Sequence, residues 1–185
     1  MARSLWLVAL VVLGLPAYSL GQDVTSGPEK GKRVPALKVF DATGPHEGKE
    51  VDYAADRKDA PTVYVFVRAD VWDRPMARFL KKLDEAVQKG GGDERVVAVW
   101  VGGDADKNKE YLPLAQKSLQ FQATSLTVFA GDKTGPEKWD VNSDAHLTAV
   151  VAAKGVVTAV FGYRSINETD VPAVHDALKK TLPTK

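Results

Sequence analysis

Nucleophilic, acid–base and metal chemistry each need particular side chains at particular spacings, and this sequence of 185 residues supplies few of them. It has no cysteine and only three histidines, His46, His146 and His175. Thiol nucleophiles, disulfide exchange and cysteine-held zinc or iron–sulfur sites are therefore excluded. No histidine pair has metal-ligating spacing on a helix, and Asp104, Asp106 and Asn108 lack the glycine and the bidentate glutamate of a calcium loop. Serine-nucleophile, phosphate-loop and dinucleotide glycine motifs are absent as well. The sequence accordingly predicts no metal site and no cofactor. What remains is the string Trp72-Asp73-Arg74-Pro75-Met76, in which Asp73 is placed to cap a helix and Pro75 suits its first turn. Asn167-Glu168-Thr169 spells a glycosylation triplet, with Thr169 equally suited to begin a helix.

The helix opened by Asp73 carries Met76, Phe79, Leu80, Leu83 and Val87 at helical spacing and stops at Gly90-Gly91-Gly92. Two apolar, β-branched runs flank it, 62–67 and 95–101, as expected of strands covered on both faces. A second helix is predicted from Lys107 to Leu119, with Tyr111, Leu114, Ala115, Ser118 and Leu119 on one face and Pro113 early in it or kinking it. Further strands are predicted at 35–40, 125–129, 147–152 and 156–161, the last two joined tightly through Ala153-Lys154-Gly155. Residues 45–61 read as turn-rich with a short β-arm near Glu50. A last helix starts at Thr169 or Asp170 and buries Val171, Val174, Leu178 and Leu182. Helical crossovers between buried strands call for parallel pairing, so the predicted class is α/β, a three-layer sandwich on a mixed sheet closed by an antiparallel hairpin and a helix.

The N-terminus has the order of a secretory leader: Arg3, an apolar run from Leu5 to Leu15, then small residues ending at Gly21. Roughly a dozen apolar residues is short for a bilayer span. Residues 1–21 are thus read as a signal peptide, 22–33 as a flexible linker and 34–185 as one domain, which places the protein outside the cytoplasm, secreted or periplasmic, with no membrane span after cleavage. Arg3 is the leader's only charge, so its removal from 25 basic and 24 acidic residues leaves the two in balance. A neutral chain does not suit a nucleic-acid partner.

Several strings taken in order resemble the thioredoxin-like superfamily, in particular its exported thiol:disulfide interchange and peroxiredoxin-like branch. Val34-Pro35-x-Leu37-x-Val39-x-Asp41-x-x-Gly44, then Gly48-Lys49-Glu50-Val51, resembles the entry to that fold. Residues 60–66 resemble its central strand, and Val141 through Gly155 running into Val156-Val157 resembles its closing hairpin, so that residues 34–182 are covered. The resemblance implies a thioredoxin-like sandwich. It also implies a redox Cys-x-x-Cys at the start of the first long helix, where this sequence has Asp73 and Met76, and a cis-proline before the facing strand, where it has His146 or Leu147. Both halves of the redox site are replaced. The helix terminus that favours a thiolate in that family equally favours the carboxylate of Asp73.

Three functions remain to be weighed. The first is a redox-inactive binding or scaffolding module that grips another exported protein or a peptide through Trp72, Asp73, Arg74, Pro75, Met76, His146 and Leu147. The resemblance implies that Asp73 and His146 adjoin, and an aspartate can hold an imidazole for general-base work, so the second is a non-thiol enzyme at that edge. The third is a redoxin-type enzyme borrowing a partner's thiol. Trp100 and Phe161 read as packing residues, whereas Trp139, in a loop after Gly135-Pro136, has some claim to binding.

Overall fold

The structure is a computed structural model that describes residues 24–183; the leader expected at 1–21 lies outside them. Seven strands form one mixed sheet: β1 (Lys38–Asp41), β2 (Glu50–Asp52), β3 (Thr62–Arg68), β4 (Arg95–Val101), β5 (Thr124–Val128), β6 (Leu147–Ala153) and β7 (Val156–Tyr163), in the order β2-β1-β5-β4-β3-β6-β7. The neighbours β3, β4 and β5 run parallel, while β1, β2, β6 and β7 pair antiparallel with their neighbours. Four helices complete the fold: α1 (Tyr53–Arg57), α2 (Arg74–Gln88), α3 (Ala105–Leu119) and α4 (Val171–Lys179).

The two crossovers, β3-α2-β4 and β4-α3-β5, step across the sheet in the same direction. Because such connections are right-handed, both helices must lie on one face, and α4 joins them there. Val63, Val65 and Val67 of β3 and Val96, Ala98 and Trp100 of β4 meet Phe79, Leu83, Leu112 and Val174 in that layer. The alternate residues Tyr64, Phe66, Val97 and Val99 meet Leu37, Tyr53, Trp139 and Val141 on the other face. The third layer is therefore thin, made of α1 and chain segments rather than long helices. Trp139, which had some claim to binding, is its anchor. It is wholly buried, lies edge-on to Tyr64 with ring centres 5.1 Å apart, and donates its indole N–H to the Ala36 carbonyl at 2.9 Å.

Two carboxylates missed as structural pins explain why the local turns form. Asp41, at the end of β1, is fully buried and accepts from the backbone N–H of Thr43, Gly44 and His46 and from the Tyr53 hydroxyl at 2.8 Å. A side chain at Gly44 would collide with that hydroxyl. Burial, with the Asp41 carboxylate beside it, pushes the Tyr53 phenol well above its usual range. Asp84 of α2, also fully buried, accepts from Gln122 N, Ala123 N and Thr124 Oγ1 and so holds α2 to the start of β5.

The hairpin turn has Lys154 and Gly155 both at positive φ, 54° and 68°, the geometry of a two-residue turn that matches strand twist. Residues 24–33, the described part of the 22–33 segment read as a linker, carry hydrogen bonds to β6 and β7. Gly31 N donates to Val157 O at 2.8 Å, Val157 N to Lys32 O at 2.9 Å, and Ser26 Oγ lies 2.5 Å from Thr148 Oγ1. An edge strand offers unpaired backbone groups, and this segment takes up part of them.

Candidate functional site

Strand β3 delivers the chain to the corner where the sequence concentrates its candidates. Arg68 ends the strand, a single 3-10 turn over Ala69–Val71 follows, and Trp72 leads into the cap of α2. The Asp73 carboxylate accepts from Met76 N at 2.9 Å, with Pro75 in the first turn. That bond satisfies one of the N–H groups a helix leaves open at its start. Asp73 and Arg74 are exposed and Pro75 half-buried.

Two of the seven candidate residues do not reach the surface, which corrects the expectation that they line it. Met76 is 2% exposed and packs into the α2 layer, and Leu147 is wholly buried between Val67 and Tyr163 on neighbouring strands. Both occupy core positions because helical spacing from Phe79 and strand alternation from Ala149 turn them inward. His146 is half-buried and extends β6: its N–H donates to Tyr163 O at 2.7 Å and its carbonyl accepts from Arg68 N at 3.1 Å. Among the described residues every peptide bond is trans, and no hydrogen bond joins Asp73 to His146.

Arg68, which sequence reasoning passed over, locks this corner. Its guanidinium forks onto Asp70 at 3.0 and 2.8 Å and donates a third bond to Ser143 O at 2.7 Å. Those hydrogen bonds hold the Asp70 carboxyl below the usual carboxylate range and raise the Arg68 guanidinium further. The clamp ties the end of β3 to the loop carrying His146.

The aromatic surface at the corner is also wider than the sequence suggests. Trp72 packs edge-on against buried Trp100, ring centres 4.9 Å apart, and donates its indole N–H to the Tyr111 hydroxyl at 2.8 Å. Of the residues grouped on one face of α3, Tyr111 and Leu114 are 41% and 65% exposed and Ala115 enters the core, joined there by Leu112. α3 carries apolar residues all round, so periodicity alone could not orient it; the surplus of apolar residues was the available signal. A groove of about 300 Å³ runs between Trp72, Arg74 and Ala77 on one side and Tyr111, Ala115 and Leu119 on the other. It continues along α2 as a second groove of about 330 Å³ edged by Arg78, Lys81 and Lys82. The apparent calcium fragment is accounted for on the same helix, since the Asp104 carboxylate caps α3 by accepting from Asp106 N and Lys107 N.

This arrangement is that of a thioredoxin-like fold, and comparison with solved structures bears that out. The chain is similar to a peroxidoxin, BcpB, from Mycobacterium tuberculosis (12% identity, TM-score 0.62, covering 84% of this chain and 99% of that one). It is similar also to a DsbF homologue from Corynebacterium diphtheriae (19% identity, TM-score 0.57, covering 89% and 96%). A third likeness is to BsSco, of the Sco family of cytochrome c oxidase assembly proteins (12% identity, TM-score 0.56, covering 83% and 100%). At such identities the likeness is one of fold. No protein-family model matches the sequence, and no curated protein does. The chain has a thioredoxin-like fold and no cysteine.

Proposed function

We propose that this protein is an exported thioredoxin-like binding or assembly module that docks a partner protein or peptide at the Trp72–Tyr111 surface and performs no thiol chemistry of its own. One observation carries the reading. The two positions that the redox motif would occupy are committed to structure, Asp73 as a helix cap and Met76 in the core, while beside them Tyr111 is exposed and Trp72 half-buried at the rim. A retained fold without its reactive groups still presents a preformed surface, and exposed aromatic and aliphatic side chains mark contact sites. The Sco likeness, to a family named for assembly, supports the same direction. The leader-like N-terminus supports export, and among the described residues no helix is long and apolar enough to cross a membrane.

The test is affinity capture from the exported fraction with wild-type, Trp72→Ala and Asp73→Asn chains, followed by titration of the captured partner. An aromatic hot spot contributes about 2 kcal/mol or more, so Trp72→Ala weakens binding by about thirtyfold. Asp73→Asn, which keeps a capping oxygen, leaves binding within about threefold. Catalytic turnover of a substrate that Asp73→Asn abolishes in a folded chain would replace this reading with the acid–base enzyme.

A further inference from the structure

At the far edge of the sheet from Trp72, α4 and β7 enclose a groove of about 820 Å³, larger than either groove beside α2. Its floor is apolar and built of small side chains around one ring: Ala159 and Phe161 from β7, Pro172, Ala173 and Ala177 from α4. Ala159, Phe161, Ala173 and Ala177 are all half-buried, so the floor is neither sealed core nor polar surface. Phe161 is held flat by stacking on Tyr163, ring centres 6.4 Å apart with planes 9° from parallel.

One end of the groove is basic. Lys30, Lys154 and Lys180 all line it and are exposed, and none lies within ion-pair distance of a carboxylate among the described residues. Among the described residues the groove's only lining carboxylate, Asp176, is engaged by Lys179 at 3.1 Å. Three ammonium groups that make no ion pair, of which Lys180 feels the nearby Asp176 carboxylate, sit beside an apolar floor and favour an occupant with carboxylates next to aliphatic side chains.

The chain's own geometry narrows the occupant. The outer edge of β7 is partly taken by residues 24–33, through Val24 N to Gly162 O and the two bonds between Val157 and residues 31 and 32, so an added strand is not favoured there. The occupant lies on the face between α4 and β7. From Pro172 to Lys180 the helix rises about 12 Å, the length of roughly four extended residues. A small amphiphile on a half-exposed floor keeps one side in water, whereas a segment backed by its own protein covers it. A two-fold pairing of this chain with itself about an axis through the basic end would set lysines against lysines.

We propose that the α4–β7 groove is a second docking site, for a partner-protein segment of about four aliphatic residues flanked by Asp or Glu. It does not rest on the Trp72 surface, and the two are tested separately. The experiment is a peptide-display selection on the full chain, followed by titration of the selected peptide as a synthetic probe against three variants whose folding is checked by circular dichroism. The variants are Lys30→Glu/Lys154→Glu/Lys180→Glu, Ala177→Trp and Trp72→Ala. The expected result is enrichment of aliphatic–acidic peptides that bind about tenfold or more weakly to the triple variant and to Ala177→Trp. Their binding falls with added salt and is unchanged in Trp72→Ala. Ala177→Trp fills the floor without altering charge, so it separates groove docking from simple attraction to lysines. The proposal is overturned if no such peptide is enriched, or if binding is indifferent to both groove variants. Dodecanoate binding at the groove in place of peptide would overturn it, as would self-association that the triple variant abolishes.

Discussion

Replacing Asp73 by cysteine asks whether the start of α2 still has the electrostatics of a redox seat. The Asp73 side chain accepts from Met76 N at 2.9 Å, so a sulfur at the same position faces the same open N–H groups. A negative charge at a helix N-terminus gains about 0.3–1 kcal/mol when exposed and up to about 2 kcal/mol in partly buried geometry. Since one pKa unit corresponds to about 1.4 kcal/mol, the thiol of Asp73→Cys should ionise roughly 0.2 to 1.5 units below the free value near 8.5. The variant contains one cysteine only, so thiolate absorbance at 240 nm and the alkylation rate against pH both report it directly. The sign follows from the cause: the folded state favours the thiolate, so this group adds stability above the unfolded pKa and loses it as pH falls through the folded one. A thiol titrating at or above 8.5 in the folded chain would refute the assignment of Asp73 to a helix-terminal seat.

Other consequences can be measured by thermal or chemical unfolding. Trp139→Ala removes a fully buried indole and its bond to Ala36 O, and should cost about 3–5 kcal/mol; a loss under 1 kcal/mol would mean that the thin layer does not depend on it. Asp84→Ala leaves Gln122 N, Ala123 N and Thr124 Oγ1 without their acceptor, for a loss of about 3 kcal/mol, partly restored in Asp84→Asn. Burial, then Lys179, lowers the His175 imidazole from its ordinary 6.5, against opposing pulls from Asp176 and Glu94. The folded chain therefore resists protonation there, and stability should start to fall as pH drops below about 6.5, with His175→Gln flattening that slope. An unchanged slope in His175→Gln would assign the loss to other groups.

Much of the architecture is legible in the sequence because strands buried on both faces and capped amphipathic helices write strong local signals. The run 62–67, the Asp73 cap and the hairpin at Lys154-Gly155 all stand where expected. Failures arise where two faces compete or where a pin is non-local. α3 carries Leu112 and Ala115 inward and Tyr111 and Leu114 outward, and its orientation comes from packing against the sheet rather than from its own period. α1 is too short to show periodicity, and only its cap, Asp52, could have announced it. Trp139 looked like a loop aromatic because nothing local reveals that the loop must roof one face of the sheet. At the site, Asp73 could be placed from sequence, but the Arg68–Ser143 and Trp72–Tyr111 bonds join residues remote in the chain.

The central claim is that the corner acts by contact through Trp72 while its former reactive positions serve the fold. Indole N–H resonances read this directly, because Trp72 lies at the rim while Trp100 and Trp139 are buried. On titrating the captured partner into the ¹⁵N-labelled protein, the Trp72 indole signal should shift or broaden and the Trp139 signal should stay in place. A partner that binds while leaving the Trp72 indole unmoved would contradict the account.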